Sequence, residues 1–354
     1  MIESNDVSAR ELFRDGVVIP AHPLALTANR RLDERRQRAL TRYYFDAGAG
    51  GVAVGVHTTQ FAIREPAHGM LRPVLELAAQ TVRELRAERP RPFVMIAGVC
   101  GMTQQAVNEA EIALSYGYDA ALLSLAALAD ATTAELLDHC RAVADVMPLV
   151  GFYLQPALGG RVLDYAFWRE LAEVPNLWGV KIAPFNRYAT IDVIRAIGES
   201  TRVDVALYTG NDDNIVGDLV TPFPVTAGGV ARIRHIDGGL LGQWAVWTHR
   251  AVALLLRAKA ARAGGVVDVE LLREGAALTD ANGVIFDAAH RFDGCIPGIH
   301  EILRRQGLLA GTWCLDPRET LSQGQAHEID RVARLYPFLT DDEFVAARLD
   351  SWLA

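Results

Sequence analysis

Val18-Ile19-Pro20-Ala21-His22-Pro23 is the stretch on which the fold turns. It is the first short apolar run of the chain, and no glycine fingerprint follows it. A doubly wound nucleotide-binding sheet needs glycines directly after its first strand, so that the backbone can turn tightly and approach a pyrophosphate. That architecture is therefore the second choice. Outward from this run, short apolar and β-branched segments recur at 51–56, 93–99, 120–124, 149–154, 177–182, 203–208 and 224–230, which with 17–21 makes eight candidate strands. Longer amphipathic segments lie between them at 33–47, 73–87, 103–116, 132–146 and 164–173. Short strands alternating with helices predict parallel strands joined by crossovers. Eight such units in roughly 250 residues have the size and rhythm of a (β/α)8 barrel. The expected fold is thus α/β: a (β/α)8 TIM barrel over 14–262 and a C-terminal helical region over 263–354 packed on it, with a long helix at 239–261 leading out of the barrel.

Composition narrows the function. The 354 residues are 51% hydrophobic and contain no Pro/Ser/Gly-rich linker, so one large core is expected. The apolar runs are too short to cross a bilayer, so no membrane partner is expected. The opening MIESNDVSARELF is polar and acidic, without the order of a signal peptide, which predicts a cytoplasmic protein. The four cysteines, Cys100, Cys140, Cys295 and Cys314, are too widely spaced for a disulfide framework or a metal knuckle. A net charge of −8 argues against nucleic acid as a partner, and the arginines of 30–42 read as a solvated helix face. His300-Glu301 lacks the second histidine of a metalloprotease helix. No metal and no cofactor are expected.

In a barrel the chemistry gathers where the strands end. There the chain carries His22, His57-Thr58-Thr59, Cys100, Tyr153, Lys181, Gly210-Asn211-Asp212-Asp213 and Gly228-Gly229. Lys181 is the most informative, because it interrupts the apolar run Leu177-Trp178-Gly179-Val180-Lys181-Ile182-Ala183. Burying an ammonium costs several kcal/mol unless it is paired or deprotonated. Desolvation lowers the amine pKa and makes it nucleophilic toward carbonyls. The plain structural alternative is a lysine that emerges at the strand end and meets a surface carboxylate. Tyr153, at the end of the preceding strand, is expected to meet Lys181 across the mouth and to shuttle the protons of imine chemistry. Thr58 and Thr59 offer hydroxyls and backbone N–H groups suited to a carboxylate or a proton relay. Gly229 and its neighbour are candidates for phosphate or substrate contact after the last strand, and Asp212 with Asp213 for sugar hydroxyls or for capping the next helix.

Taken together, Gly55-Val56-His57-Thr58-Thr59, Phe152-Tyr153-Leu154-Gln155-Pro156-Ala157-Leu158-Gly159-Gly160, Gly179-Val180-Lys181 and Leu207-Tyr208-Thr209-Gly210-Asn211-Asp212-Asp213 resemble the motifs of the dihydrodipicolinate synthase and N-acetylneuraminate lyase family. The resemblance runs over about 15–335. It implies a pyruvate-handling class I aldolase on a (β/α)8 barrel, commonly a tetramer, so a homo-oligomer, tetramer or dimer, is expected. It also implies Lys181 as the Schiff-base lysine and Tyr153 as general acid/base. Thr58 and Thr59 would hold the keto-acid carboxylate, with the Thr59 hydroxyl linked to Tyr153. His57, Leu158, Gly210, Asp212 and Gly229 would contact substrate.

The departures shape the substrate expectation. Where dihydrodipicolinate synthases carry an arginine two residues past the tyrosine-motif proline, this chain has Leu158, with Arg161 three positions on as a substitute or a surface residue. Their aromatic pair after strand four is replaced by Leu125-Ala126-Ala127. N-acetylneuraminate lyases carry a threonine two residues after their lysine, where this chain has Ala183. The expected activity is a class I lyase or aldolase that makes or breaks the carbon–carbon bond next to a 2-keto acid, pyruvate, with a partner aldehyde or sugar acid other than that of either enzyme. The alternatives are dehydration of a deoxy keto-sugar acid through the same imine, a non-catalytic keto-acid-binding barrel, and a phosphosugar isomerase-like barrel.

Overall fold

The computed structural model describes residues 8–354; residues 1–7, half of the polar stretch read as lacking a signal peptide, lie outside the described residues. Ten strands follow in chain order: β1 (Val18–Pro20), β2 (Gly51–Val54), β3 (Val94–Val99), β4 (Ala120–Leu123), β5 (Leu149–Leu154), β6 (Leu177–Ala183), β7 (Ala206–Thr209), β8 (Phe223–Ala227), β9 (Val230–Arg234) and β10 (Gly238–Leu241). Eight of them form a parallel sheet in the order β1-β10-β7-β6-β5-β4-β3-β2. The ring closes between β1 and β2 through the Ala21–Ala53 bridge, where the His22 N–H donates to the Ala53 carbonyl at 2.8 Å. The molecule is a (β/α)8 barrel with a C-terminal helical extension.

Helices α1 (Ala9–Asp15), α2 (Glu34–Asp46), α3 (Leu71–Glu88), α4 (Thr103–Tyr116), α5 (Thr133–Ala144), α6 (Tyr165–Leu171), α7 (Arg187–Gly198) and α8 (Ile215–Val220) precede the last barrel strand. Side chains alternate along each strand, so the barrel carries two cores. Ile19, Ile96, Leu122, Val150 and Leu240 fill the interior, while Val52, Met95, Leu149, Val180 and Leu207 face the helices. Helix α1 plugs the floor. The Phe13 ring stacks on Tyr208 at 4.3 Å, and the Tyr208 hydroxyl donates to the Phe13 carbonyl at 2.6 Å while accepting the Val17 N–H. Ser8 starts this helix with a capping box, accepting from the Glu11 N–H while the Glu11 carboxylate accepts from the Ser8 N–H.

The eighth barrel strand is a correction to the sequence reading. The run at 224–230 forms β8 and part of β9, an antiparallel hairpin that lies against α7, where Val225 packs at Gly198. The barrel instead closes with β10, which takes up the start of the span read as a long helix, and that helix, α9, covers only Thr248–Gly264. Two glycines hide this strand from propensity, yet Gly238 is required: a Cβ there would lie 2.6 Å from the Val17 backbone. After α9 come α10 (Val269–Ile285), α11 (Cys295–Arg305), α12 (Gln325–Leu335), α13 (Asp342–Ala346) and α14 (Leu349–Leu353). The chain end returns to α2, where Trp352 donates its indole N–H to Asp46 at 2.8 Å and accepts from Arg42 at its carbonyl. Among the described residues no helix is long and apolar enough to cross a membrane.

Candidate active site

The C-terminal ends of the strands surround a cavity of about 60 Å³, space for a molecule of a few heavy atoms. Lys181, His57, Thr58, Leu158, Gly210 and Asp212 all line it. Lys181 enters from β6 and is 8% exposed, with its Nζ 4.5 Å from the centroid of the Phe152 ring. Burial pushes its amine down toward the neutral form, and the Asp212 charge only partly opposes this. Gly210, at the end of β7, makes room for it: a Cβ there would stand 2.7 Å from Lys181 Cε.

Asp212 is held from two sides. Its Oδ1 accepts the Gln243 N–H at 3.1 Å, and its carbonyl accepts from the Asn282 side chain of α10 at 2.7 Å. Burial raises its carboxyl, against the lowering effects of the Gln243 N–H and Lys181. It does not cap α8, which Asn214 precedes. His57 is pushed down to about 4 by burial and then by the Lys181 charge, so at neutral pH it is an uncharged imidazole. The turn that carries it is pinned by Arg64, which donates to the Gly55 and Gly98 carbonyls and pairs in the interior with Glu109 at 2.9 Å.

Three candidates lie elsewhere. Tyr153 does not meet Lys181. Along β5 the inward position opposite Lys181 belongs to Phe152, so the Tyr153 ring points to the helical layer, 5.3 Å from Trp168, and its hydroxyl accepts the Leu163 N–H at 3.2 Å. Thr59 is turned into the backbone, donating to the His22 carbonyl at 2.6 Å and accepting the Gly55 N–H at 3.0 Å, so no relay to Tyr153 exists. Thr58 also donates to the His22 carbonyl, at 3.3 Å, but remains on the cavity wall. Gly229 sits at the tip of the β8–β9 hairpin, outside the barrel sheet, with open space around its Cβ position. Arg161 turns away too, donating to the Leu128 and Ala131 carbonyls, and no guanidinium lines the cavity. His22 is locked below, its ring bonded to Pro23 and Thr41.

The remaining walls were missed in the sequence. Phe152, Phe185, Phe286 and Phe292 give the cavity an aromatic lining, with Cys295 beside them. Phe185 and Phe292 meet edge to face with centroids 5.9 Å apart, and both have positive φ, 50° and 70°, conformations that a bulky residue holds only when its surroundings enforce them. Phe286, Phe292 and Cys295 come from the C-terminal region, so the cavity belongs to both parts of the chain. The only sequence signal for them was an aromatic pair flanking a short polar stretch between helices.

The family model described as the dihydrodipicolinate synthetase family matches residues 17–230. The chain belongs to that family. A 4-hydroxy-tetrahydrodipicolinate synthase from Halorhodospira halophila is 27% identical over 211 residues, which is 58% of this chain and 66% of that protein, a little under two thirds of its length. Among solved structures, an N-acetylneuraminate lyase from Fusobacterium nucleatum complexed with pyruvate superposes with a TM-score of 0.70 at 19% identity, over 91% of this chain and 97% of that one. A dihydrodipicolinate synthase from Oceanobacillus iheyensis gives 0.71 at 17% identity, over 94% and 100%. These structural likenesses are of fold. The family's fold and the departures at Leu158 and Ala183 thus stand together in one chain.

Proposed function

We propose that this member of the family is a class I lyase or aldolase in which Lys181 forms an imine with a 2-keto acid of pyruvate size, and which makes or breaks the adjacent carbon–carbon bond. The observation that carries the reading is the Lys181 amine, buried at a strand end in a small cavity and driven toward its nucleophilic form. The free amine attacks the ketone carbon, water leaves, and the resulting iminium withdraws electrons from the neighbouring carbon. Neutral His57 offers the keto-acid carboxylate a ring N–H, and the Thr58 hydroxyl on the same wall serves it by turning its one proton away from the His22 carbonyl. The pyruvate complex of the Fusobacterium nucleatum lyase supports the keto-acid class. Beyond the amine the walls are apolar, with Leu158, Phe185 and Phe292 and no guanidinium, so the second substrate is an uncharged aldehyde rather than aspartate semialdehyde.

Pyruvate with borohydride should add one reduced pyruvyl mass, mapped to Lys181, and Lys181→Arg should abolish it, because arginine keeps the charge but forms no imine under these conditions. An adduct on another lysine, or none at all, would overturn the assignment.

A further inference from the structure

The cavity around Lys181 contains no phenol, since Phe152 takes the inward position on β5 and Tyr153 faces α6. Imine chemistry needs a group that gives and takes protons beside the amine. Three titratable side chains share the cavity with Lys181: His57, Asp212 and Cys295, and burial, with the Asp212 charge beside it, holds the Cys295 thiol protonated and so unable to take up a proton. The His57 imidazole is disfavoured as an acid, because burial and the lysine charge both remove its proton. Asp212 is buried, and one carboxyl oxygen is fixed by the Gln243 N–H. Among the described residues no hydrogen bond reaches its other oxygen, Oδ2, and no direct ion pair joins it to Lys181. A carboxyl group anchored at one oxygen and free at the other faces the same space as the amine.

We propose that Asp212 is the proton carrier of the Lys181 imine, a catalytic residue in place of the outward-facing tyrosine. The inference rests on the imine reading above. The reactive form of the pair is free amine and carboxylic acid, reached when the one shared proton passes from the ammonium to the carboxylate. The amine adds to the ketone, and the ammonium proton of the adduct passes to the alkoxide. Asp212 then gives its proton to that hydroxyl, which leaves as water, so that a carboxylate faces an iminium cation. The carboxylate next takes a proton from C3, the C–H electron pair moves to form the enamine, and the acid is restored. When the enamine carbon attacks an aldehyde, the acid protonates the new alkoxide. Desolvation eases that transfer, since burial raises the carboxyl and lowers the amine.

The test needs no knowledge of the aldehyde. Exchange of the pyruvate methyl protons in D2O, followed by NMR, reports proton removal at C3 alone. Asp212→Asn keeps an acceptor for the Gln243 N–H, and it should slow exchange by about 10²-fold or more while the borohydride adduct at Lys181 still forms at equilibrium. Asp212→Ala should lose exchange similarly and regain part of it with added formate. Exchange at the wild-type rate in Asp212→Asn, or an Asp212→Ala variant that stays folded, forms the adduct and is not rescued, would overturn the proposal. If the wild type forms no adduct, the imine reading fails first and this one with it; if it forms the adduct and Asp212→Asn exchanges normally, only this one fails.

Discussion

Tyr153 shows how one step of strand parity separates a motif from a site. Its hydroxyl serves the Leu163 N–H, and its ring packs beside Trp168 in the layer between barrel and helices. Tyr153→Phe should therefore leave turnover and imine trapping within about threefold of wild type, since its hydroxyl lies outside the Lys181 cavity. It should cost about 1–3 kcal/mol of stability, the usual penalty for stripping a buried donor of its acceptor. Urea denaturation beside an activity assay checks both, and a hundredfold loss of turnover in a stable variant would restore the tyrosine to the mechanism. Leu158 yields the opposite kind of expectation. Leu158→Arg should improve use of a carboxylate-bearing aldehyde relative to an uncharged one, through a charge-assisted pair, without reducing adduct formation at Lys181. Competing aldehydes assayed with pyruvate would measure it, and an unchanged preference would place the aldehyde elsewhere. At this scale the sequence disclosed Lys181 because a charge in an apolar run demands a cause. It could not disclose which way Tyr153 points, because Val150-Gly151-Phe152-Tyr153-Leu154 has no polar alternation to mark a face.

The elements were legible where composition and period agree. The first seven barrel strands and the helices from α2 to α6 fall within a few residues of their expected places, because each strand is a short buried run bounded by turn residues. Closure was not legible: β10 holds two glycines in four residues, and its identity is fixed by contact with β1 and β7 rather than by propensity. Helix α11 carries a pH consequence. His300 is fully buried on it, neither ring nitrogen makes a well-formed hydrogen bond, and burial pushes the ring down to about 4, with only partial opposition from the Thr312 and Trp313 backbone. An unfolded histidine titrates near about 6.5. Between those values the unfolded chain binds a proton that the native one refuses, so this group's contribution falls as pH falls and is fully present above the unfolded value. Relative to wild type, His300→Met should gain about 2 kcal/mol of stability on going from pH 7 to pH 5. Denaturant midpoints at the two pH values decide it, and parallel shifts in both proteins would show that His300 titrates elsewhere or not at all.

At the scale of the whole molecule, the barrel supplies the amine and the C-terminal region supplies part of the roof. Phe286 closes α10, Phe292 follows in a turn in which Asp287 accepts from the Gly294 N–H and the His290 ring, and Gln325 of α12 donates to the Gly294 carbonyl. The barrel pairing carries a further consequence, for the order in which the chain acquires its shape. Val18 pairs with Gly239, so the strand that opens the ring cannot be satisfied on one side until the last barrel strand arrives. Closing so long a loop costs entropy before any contact repays it, and parallel pairing of this kind is intrinsically slow. While the chain waits, the edge of β7 and the apolar floor that Phe13 will plug are both open to other chains. The pairing order thus predicts a fold that commits late, with the β7 edge its most vulnerable feature until β10 docks.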